Sequence, residues 1–217
     1  VNTVTGRPYS EDPAIFSWQI CNEPRCFVRV DSVKAEFEKW LVQTAALIKS
    51  IDKNHMVSVG SEGLYGCEVD MDLFEKIHSC PDIDYLTMHI WPANWNWVRK
   101  DSLEADLQEA YAKTDKYIDM HIASAEKLRK PVVIEEFGYP RDGYKFDKSV
   151  PVVARDAYCT HIFRRLEDSA KSDGVLAGVN FWAWGGKACQ SSESIWWHRG
   201  DDYCGDPAQE PQGLYSV

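Results

Sequence analysis

A chain of 217 residues, 44% hydrophobic and with a formal net charge of −10, can bury one sizeable core. Its charge has the wrong sign for a nucleic-acid backbone or an anionic membrane surface. Aromatic residues make up 12%, with nine Trp and ten Tyr, which suits a neutral ligand that stacks on flat rings, as sugars do.

Five apolar stretches read as strands, with helical patterns between them. The first, residues 14–21, contains Phe16, Trp18 and Ile20 and should be buried in a closed fold. Pro24 cannot donate a ladder hydrogen bond, so it ends the strand and leaves Asn22 and Glu23 at the carboxyl end. Residues 31–52 form a helix capped by Asp31 or Ser32, with Phe37, Leu41 and Leu47–Ile48 as its apolar stripe. The second strand is "HMVSVGSEG" (55–63), followed by a short helix, "DMDLFEKIHSC" (70–80). "IDYLTMHIW" (83–91) is the third strand. A long helix covers 101–130, opened by a Ser-x-x-Asp/Glu-like start and closed by basic residues. "PVVIEEFG" (131–138) is the fourth strand. Residues 150–174 form a helix that Gly174 stops, and "GVLAGVNFWAWGG" (174–186) is the fifth strand. No repeat, low-complexity run or linker divides the chain, so residues 1–217 read as part of one domain.

Apolar strands alternating with amphipathic helices give an α/β fold with a parallel sheet. The strands end on Asn22–Glu23, Ser61–Glu62–Gly63, His89–Trp91, Glu135–Glu136 and Trp182–Trp184. Reactive groups at nearly every strand end favour a (β/α)8 barrel over an open doubly wound sheet, where only the switch point carries chemistry. No Gly-rich phosphate loop follows any strand. No run approaches the roughly 20 apolar residues of a spanning helix, and any export signal lies outside this sequence. The seven Cys show no CxxC metal spacing; Cys189 and Cys204 are the candidates for a disulfide, the others reading as free, buried thiols. "HRGDDYCGD" lacks the ordered ligand spacing of a calcium loop, and no metal or cofactor is expected.

Two strand-end carboxylates suit glycosidic bond cleavage. One protonates the leaving oxygen, and the other attacks the anomeric carbon or activates water. The competing reading is structural ion pairing, Arg25 being an obvious partner for Glu23. Two such glutamates, with aromatic groups at other strand ends, favour chemistry.

"QICNEPR" and "VIEEFG" resemble the acid/base and nucleophile motifs of glycoside hydrolase family 5. "YSEDPAIFSWQICNEPRC", "HIWPANW", "PVVIEEFGYPRD", "GVNFWAWGG" and "GDPAQEPQGLYSV" are similar to the family's endo-β-1,4-mannanases, over nearly the whole chain. The resemblance implies a retaining TIM barrel of which this chain supplies about strands 4 to 8. It makes Glu23 the acid/base on the fourth strand and Glu136 the nucleophile on the seventh, with carboxyl groups about 5–5.5 Å apart. Glu135 faces the other side of its strand and is then supporting or structural. Asn22 resembles the family's Asn that bonds the sugar 2-hydroxyl, and His89 its sixth-strand His. Where the family commonly has Tyr two residues further on, this sequence has Trp91, which offers no phenol to the nucleophile. Trp182 matches the sugar platform, and Trp184 shares its parity. Trp95, Trp97, Trp196 and Trp197 are either plugs under loops or platforms for flanking sugars; Trp95 and Trp197 are carried as binding candidates.

The same resemblance implies β-mannan or a related plant polysaccharide as partner and a secreted, periplasmic or cell-surface location. An endo-β-1,4-glucanase, a non-catalytic sugar-binding barrel and a metal hydrolase using Glu and His are the rivals. The family match starts just before the fourth strand. Strands one to three are therefore expected from another chain or segment, lying against residues 14–21.

Overall fold

The computed structural model describes residues 1–147, 149–188 and 194–216. Its elements follow the expected order: β1 (Ser17–Gln19), α1 (Asp31–Ile51), β2 (Met56–Ser58), α2 (Met71–His78), β3 (Leu86–Ile90), α3 (Leu107–Leu128), β4 (Val132–Phe137), α4 (Val153–Lys171) and β5 (Leu176–Val179). β1 pairs with β2 in parallel, Trp18 opposite Val57, and a second sheet has the order β3-β4-β5. That sheet is parallel too. Leu86 and Gly138 donate to Pro131 and Ile90, while Val132, Asn180 and Trp182 pair with Val175, Ile134 and Phe137, all advancing together.

The chain divides into two compact units. The first holds Val1–His89, His121–Val133 and Val175–Ala177; the second holds Ile90–Met120, Ile134–Gly174 and Gly178–Val217.

In the first unit, Phe37, Leu41 and Ala45 form the buried stripe of α1 at a spacing of four. Leu47 falls off that stripe and is 60% exposed, contrary to expectation. Nor do Asp31 and Ser32 cap the helix. Val30 occupies the cap, its carbonyl accepting from Val33 and Lys34. Asp70 does cap α2, accepting from Leu73 N at 3.0 Å. Val57, Phe74, Ile83, Leu86 and Met88 are fully buried, each contributing about 1.5–3 kcal/mol by leaving water. Lys130, just before β4, donates to the carbonyls of His78, Cys80 and Ile83 at 2.7, 2.6 and 2.6 Å. The buried first strand is not observed: Phe16 is 73% exposed. β1 is an edge strand, and among the described residues no strand continues the sheet beyond it.

In the second unit, Tyr139 stacks on Tyr158 of α4 with ring centroids 4.9 Å apart. Their hydroxyls bond Leu103 O and Thr114 Oγ1, each at 2.7 Å, so neither polar tip is stranded in the core. The long helix starts at Leu107, later than its sequence suggests. Asp106 is taken up by Arg99, whose N and Nε donate at 2.9 Å and whose Nη2 donates at 2.6 Å, holding 102–106 in turns. α4 ends at Lys171, and Asp173, not Gly174, takes the left-handed conformation at φ 52°. Gly174 still matters, because a Cβ there would sit 2.6 Å from Ser169 Oγ.

Candidate active site

Glu23 follows β1 on a backbone guided by the neighbouring strand. Ile20 N donates to Ser58 O and Glu23 N to Gly60 O, so the pairing runs on to the glutamate, past the short strand itself. Glu23 has φ 49°, an uncommon conformation for a residue with a Cβ, and such strain collects at functional positions. Pro24 behind it is buried, while Asn22 before it is exposed. Glu23 Oε1 lies 2.8 Å from Nδ1 of His89. His89 is carried by β3 and is 1% exposed, and its backbone N donates to Glu62 O at 3.2 Å.

Glu62 is 2% exposed and forms an ion pair with Arg25. Burial pushes its carboxyl above the usual range, as does the negative charge of Glu23; Arg25 works against both. The sequence shows Glu62 at a strand end but gives no sign that it closes a network with Arg25, Glu23 and His89. The loop after it is tightly specified. Leu64 N donates to His121 Nε2 at 3.0 Å, and a Cβ on Gly63, whose φ is 90°, would lie 2.1 Å from that nitrogen.

The second unit holds Glu136, in a β4 where both Glu135 and Glu136 are half-buried. Gly138 lies under Trp91, since a Cβ there would meet the indole at 2.6 Å. Trp91 meets Trp182 edge to face, centroids 6.3 Å apart, and Tyr215 at 5.1 Å. Trp182 N donates to Phe137 O, which seats Trp182 beside the end of β4; its peptide bond to Ala183 is cis. The phenol missing from position 91 therefore reappears against it, from far along the chain. Tyr215 is 7% exposed, burial keeps its hydroxyl protonated, and it donates to Asn94 Oδ1 at 2.5 Å. Nothing in the sequence signals this pairing.

Other indoles are placed differently. Trp184 is 76% exposed. Trp95 and Trp97 pack on each other and on Tyr117 of α3, with centroids 4.9 to 5.7 Å apart, as a plug does. Trp197 is half-buried and donates from Nε1 to Asp201 O at 3.0 Å; Trp196 is 49% exposed. In the acidic stretch, Asp201 accepts from His198 N, while Asp206 accepts from Gly213 N and Ser216 Oγ. Cys21, Cys26, Cys67, Cys80 and Cys159 are free thiols, of which only Cys67 and Cys80 are buried. The candidate disulfide involves Cys189, outside the described residues.

Parallel β/α units whose strands end in carboxylate, imidazole and indole groups define a class of α/β proteins that work at the carboxyl ends of their strands. Comparison makes the assignment specific. The family model described as glycoside hydrolase family 5 β-mannosidase-like matches residues 1–217, and the chain belongs to glycoside hydrolase family 5. Mannan endo-1,4-β-mannosidase 1 of Arabidopsis thaliana is 33% identical over 200 residues, 83% of this chain and 45% of that protein. The family 5 mannosidase of Rhizomucor miehei, solved also as a variant with mannosyl-fructose, matches with a TM-score of 0.83 and 34% identity over 100% of this chain and 50% of its own. The endo-1,4-β-D-mannanase of Thermotoga petrophila matches with a TM-score of 0.66 and 28% identity, over 94% of this chain and 55% of its own. This chain thus spans about half the length of the relatives it matches. Its fold class is the family's (β/α)8 barrel, of which it supplies part.

Proposed function

We propose that the protein is a retaining glycoside hydrolase that cleaves β-1,4-mannosidic bonds in mannan, glucomannan or galactomannan. The observation that carries this reading is Glu23, strained at a strand end and held 2.8 Å from His89 Nδ1. A structural ion pair needs no such backbone, and the obvious structural partner, Arg25, is instead engaged by Glu62.

In this reading Glu136 attacks the anomeric carbon while Glu23 gives its proton to the departing oxygen, leaving a covalent mannosyl-enzyme. Glu23, now ionised, takes a proton from water, which displaces Glu136, and the two inversions retain configuration. His89, donating from Nδ1, keeps the Glu23 carboxylate aimed between the two steps. Asn22 bonds the 2-hydroxyl, Trp182 stacks on the sugar at the cleaved bond, and Trp91 takes part in binding. Trp184 and Trp197 serve flanking sugars, whereas Trp95, packed on Trp97 and Tyr117, plugs its loop. The remaining barrel strands come from another segment or chain and cover the open edge of β1. A polymeric substrate places the enzyme outside the cell, secreted, periplasmic or at the surface.

A second reading has specific support. The family model is β-mannosidase-like, and the solved mannosidase matches all of this chain at a TM-score of 0.83, against 0.66 for the Thermotoga petrophila endo-mannanase. An exo-acting β-mannosidase would use the same residues on chain ends. The full-length protein should be assayed on mannan, glucomannan and carboxymethylcellulose, with viscosity followed beside reducing sugar. Endo action drops viscosity early, whereas exo action releases mannose from mannohexaose with viscosity nearly unchanged. Preference for carboxymethylcellulose would make it a glucanase, and an α-anomer as first product would remove the retaining mechanism.

A further inference from the structure

The second unit carries two buried arginines that the reaction does not use. Arg141 follows β4, and Arg155 lies in the first turn of α4; they are 8% and 6% exposed. Together with Ser216, Gly185, Gly186 and Gly213 they line a cavity of about 220 Å³.

A buried guanidinium normally faces a carboxylate, because its charge is costly to remove from water. Neither of these does among the described residues. Arg141 donates from Nε to Gly213 O at 3.3 Å and from Nη1 to Val150 O at 3.2 Å. Arg155 donates from Nη1 to Ser216 O at 2.8 Å, and its buried Nε has no partner. All the acceptors are neutral carbonyls. The nearby acids are turned elsewhere. Asp142 accepts from the backbone N of Val153 and Ala154, and Asp206 accepts from Gly213 N and Ser216 Oγ. Each guanidinium has five donors, so most of the donor capacity is unspent.

We infer that this cavity binds a small oxyanion, a carboxylate, phosphate or sulfate, gripped by Arg141 and Arg155. Planar guanidinium forks match such oxygens two at a time. Burial and the charge of Arg141 both weaken Arg155's hold on its proton, more than the nearby Asp156 and Asp142 restore it, and an anion between the two arginines would relieve the pair. The bound ion would tie α4 to the segment around residues 213–216. This site is independent of the hydrolase reading and stands or falls without it.

The test uses the full-length protein and inorganic phosphate or sulfate in the low-millimolar range, with ionic strength held constant by chloride. A saturable rise of a few degrees in Tm is expected, with half-saturation at least about tenfold weaker in Arg155→Met. The general stabilising effect of sulfate would raise both proteins alike, so an equal response overturns the proposal. Should Arg155→Met fail to fold, Arg141→Met and a selenate-soaked crystal of the native protein decide. Selenium density between the two guanidiniums supports the site. A carboxylate of the protein's own chain filling the cavity refutes it.

Discussion

Nδ1 of His89 lies 2.8 Å from Oε1 of Glu23, although the two residues stand 66 positions apart. The backbone of His89 also leans on Glu62, which Arg25 holds. One histidine, through its ring and its backbone, thereby links the end of β1 to the loop after β2, and the position of Glu23 depends on both.

This contact makes a kinetic prediction. Glu136→Ala should lower turnover by several orders of magnitude on every substrate. Glu23→Ala should cost about 10²–10⁴-fold on natural mannan but far less on substrates with activated leaving groups, which need no proton. His89→Ala should resemble a mild Glu23 variant, with a changed pH–rate profile. Equal losses on both substrate types would remove Glu23 from the acid role.

Trp182 and Trp184 make a second, separable pair. Trp182 is half-buried beside the end of β4 and meets Trp91, whereas Trp184 is 76% exposed. Trp182→Ala should raise KM and lower kcat together, while Trp184→Ala should raise KM with kcat nearly unchanged. The reverse pattern, measured on mannohexaose, would exchange their roles.

Two histidines of the first unit should give stability opposite pH slopes. Hydrogen bonding to Asp52 raises His55 above its ordinary value, against the effect of burial. Burial opposes the ionised form of Asp52, but hydrogen bonds from Trp18 and His55 hold it well below the usual carboxylate range. The His55 contribution is complete below about pH 6.5 and fades as pH rises through its raised value; that of Asp52 is complete above about pH 4 and fades below. The Tm difference between native protein and His55→Gln should therefore peak between those limits.

His78 works the other way. Burial pushes it down to about 3, so the folded state refuses a proton that the unfolded chain accepts. Its share of stability falls by about tenfold in the folding equilibrium per pH unit from about pH 6.5 downward. His78→Leu should remove that slope, and a thermal melt series against pH checks it.

Gly63→Ala tests the loop behind Glu62. The new methyl would lie 2.1 Å from His121 Nε2 on a backbone at φ 90°, so space and conformation both oppose it. A loss of about 2 kcal/mol or more is expected in denaturant melts.

Much of this was readable in the sequence, for definite reasons. Apolar runs bounded by charge marked every strand, and the spacing of Phe37 and Leu41 marked α1, although Leu47, expected on the same stripe, lies off it. Strand-end chemistry pointed to Glu23, His89 and Glu136 because strand ends are where an α/β sheet exposes side chains. What escaped depends on tertiary placement. Asp106 looks like part of a helix start until Arg99 is seen to claim it, and the exposure of Phe16 follows from an edge that composition cannot show. Tyr215 meets Trp91 across more than a hundred residues, and no local pattern encodes such a meeting.

Lys130 makes a last point. Its ammonium gathers three carbonyl oxygens, from the end of α2, the turn after it and the approach to β3. Those segments cannot loosen singly while the ammonium stays seated, so they should breathe as one block. In hydrogen exchange the amides of Cys80 and Ile83, both bonded within that turn, should protect and release together with Val132 at the start of β4. A single lysine would then set the smallest piece of this chain that can open.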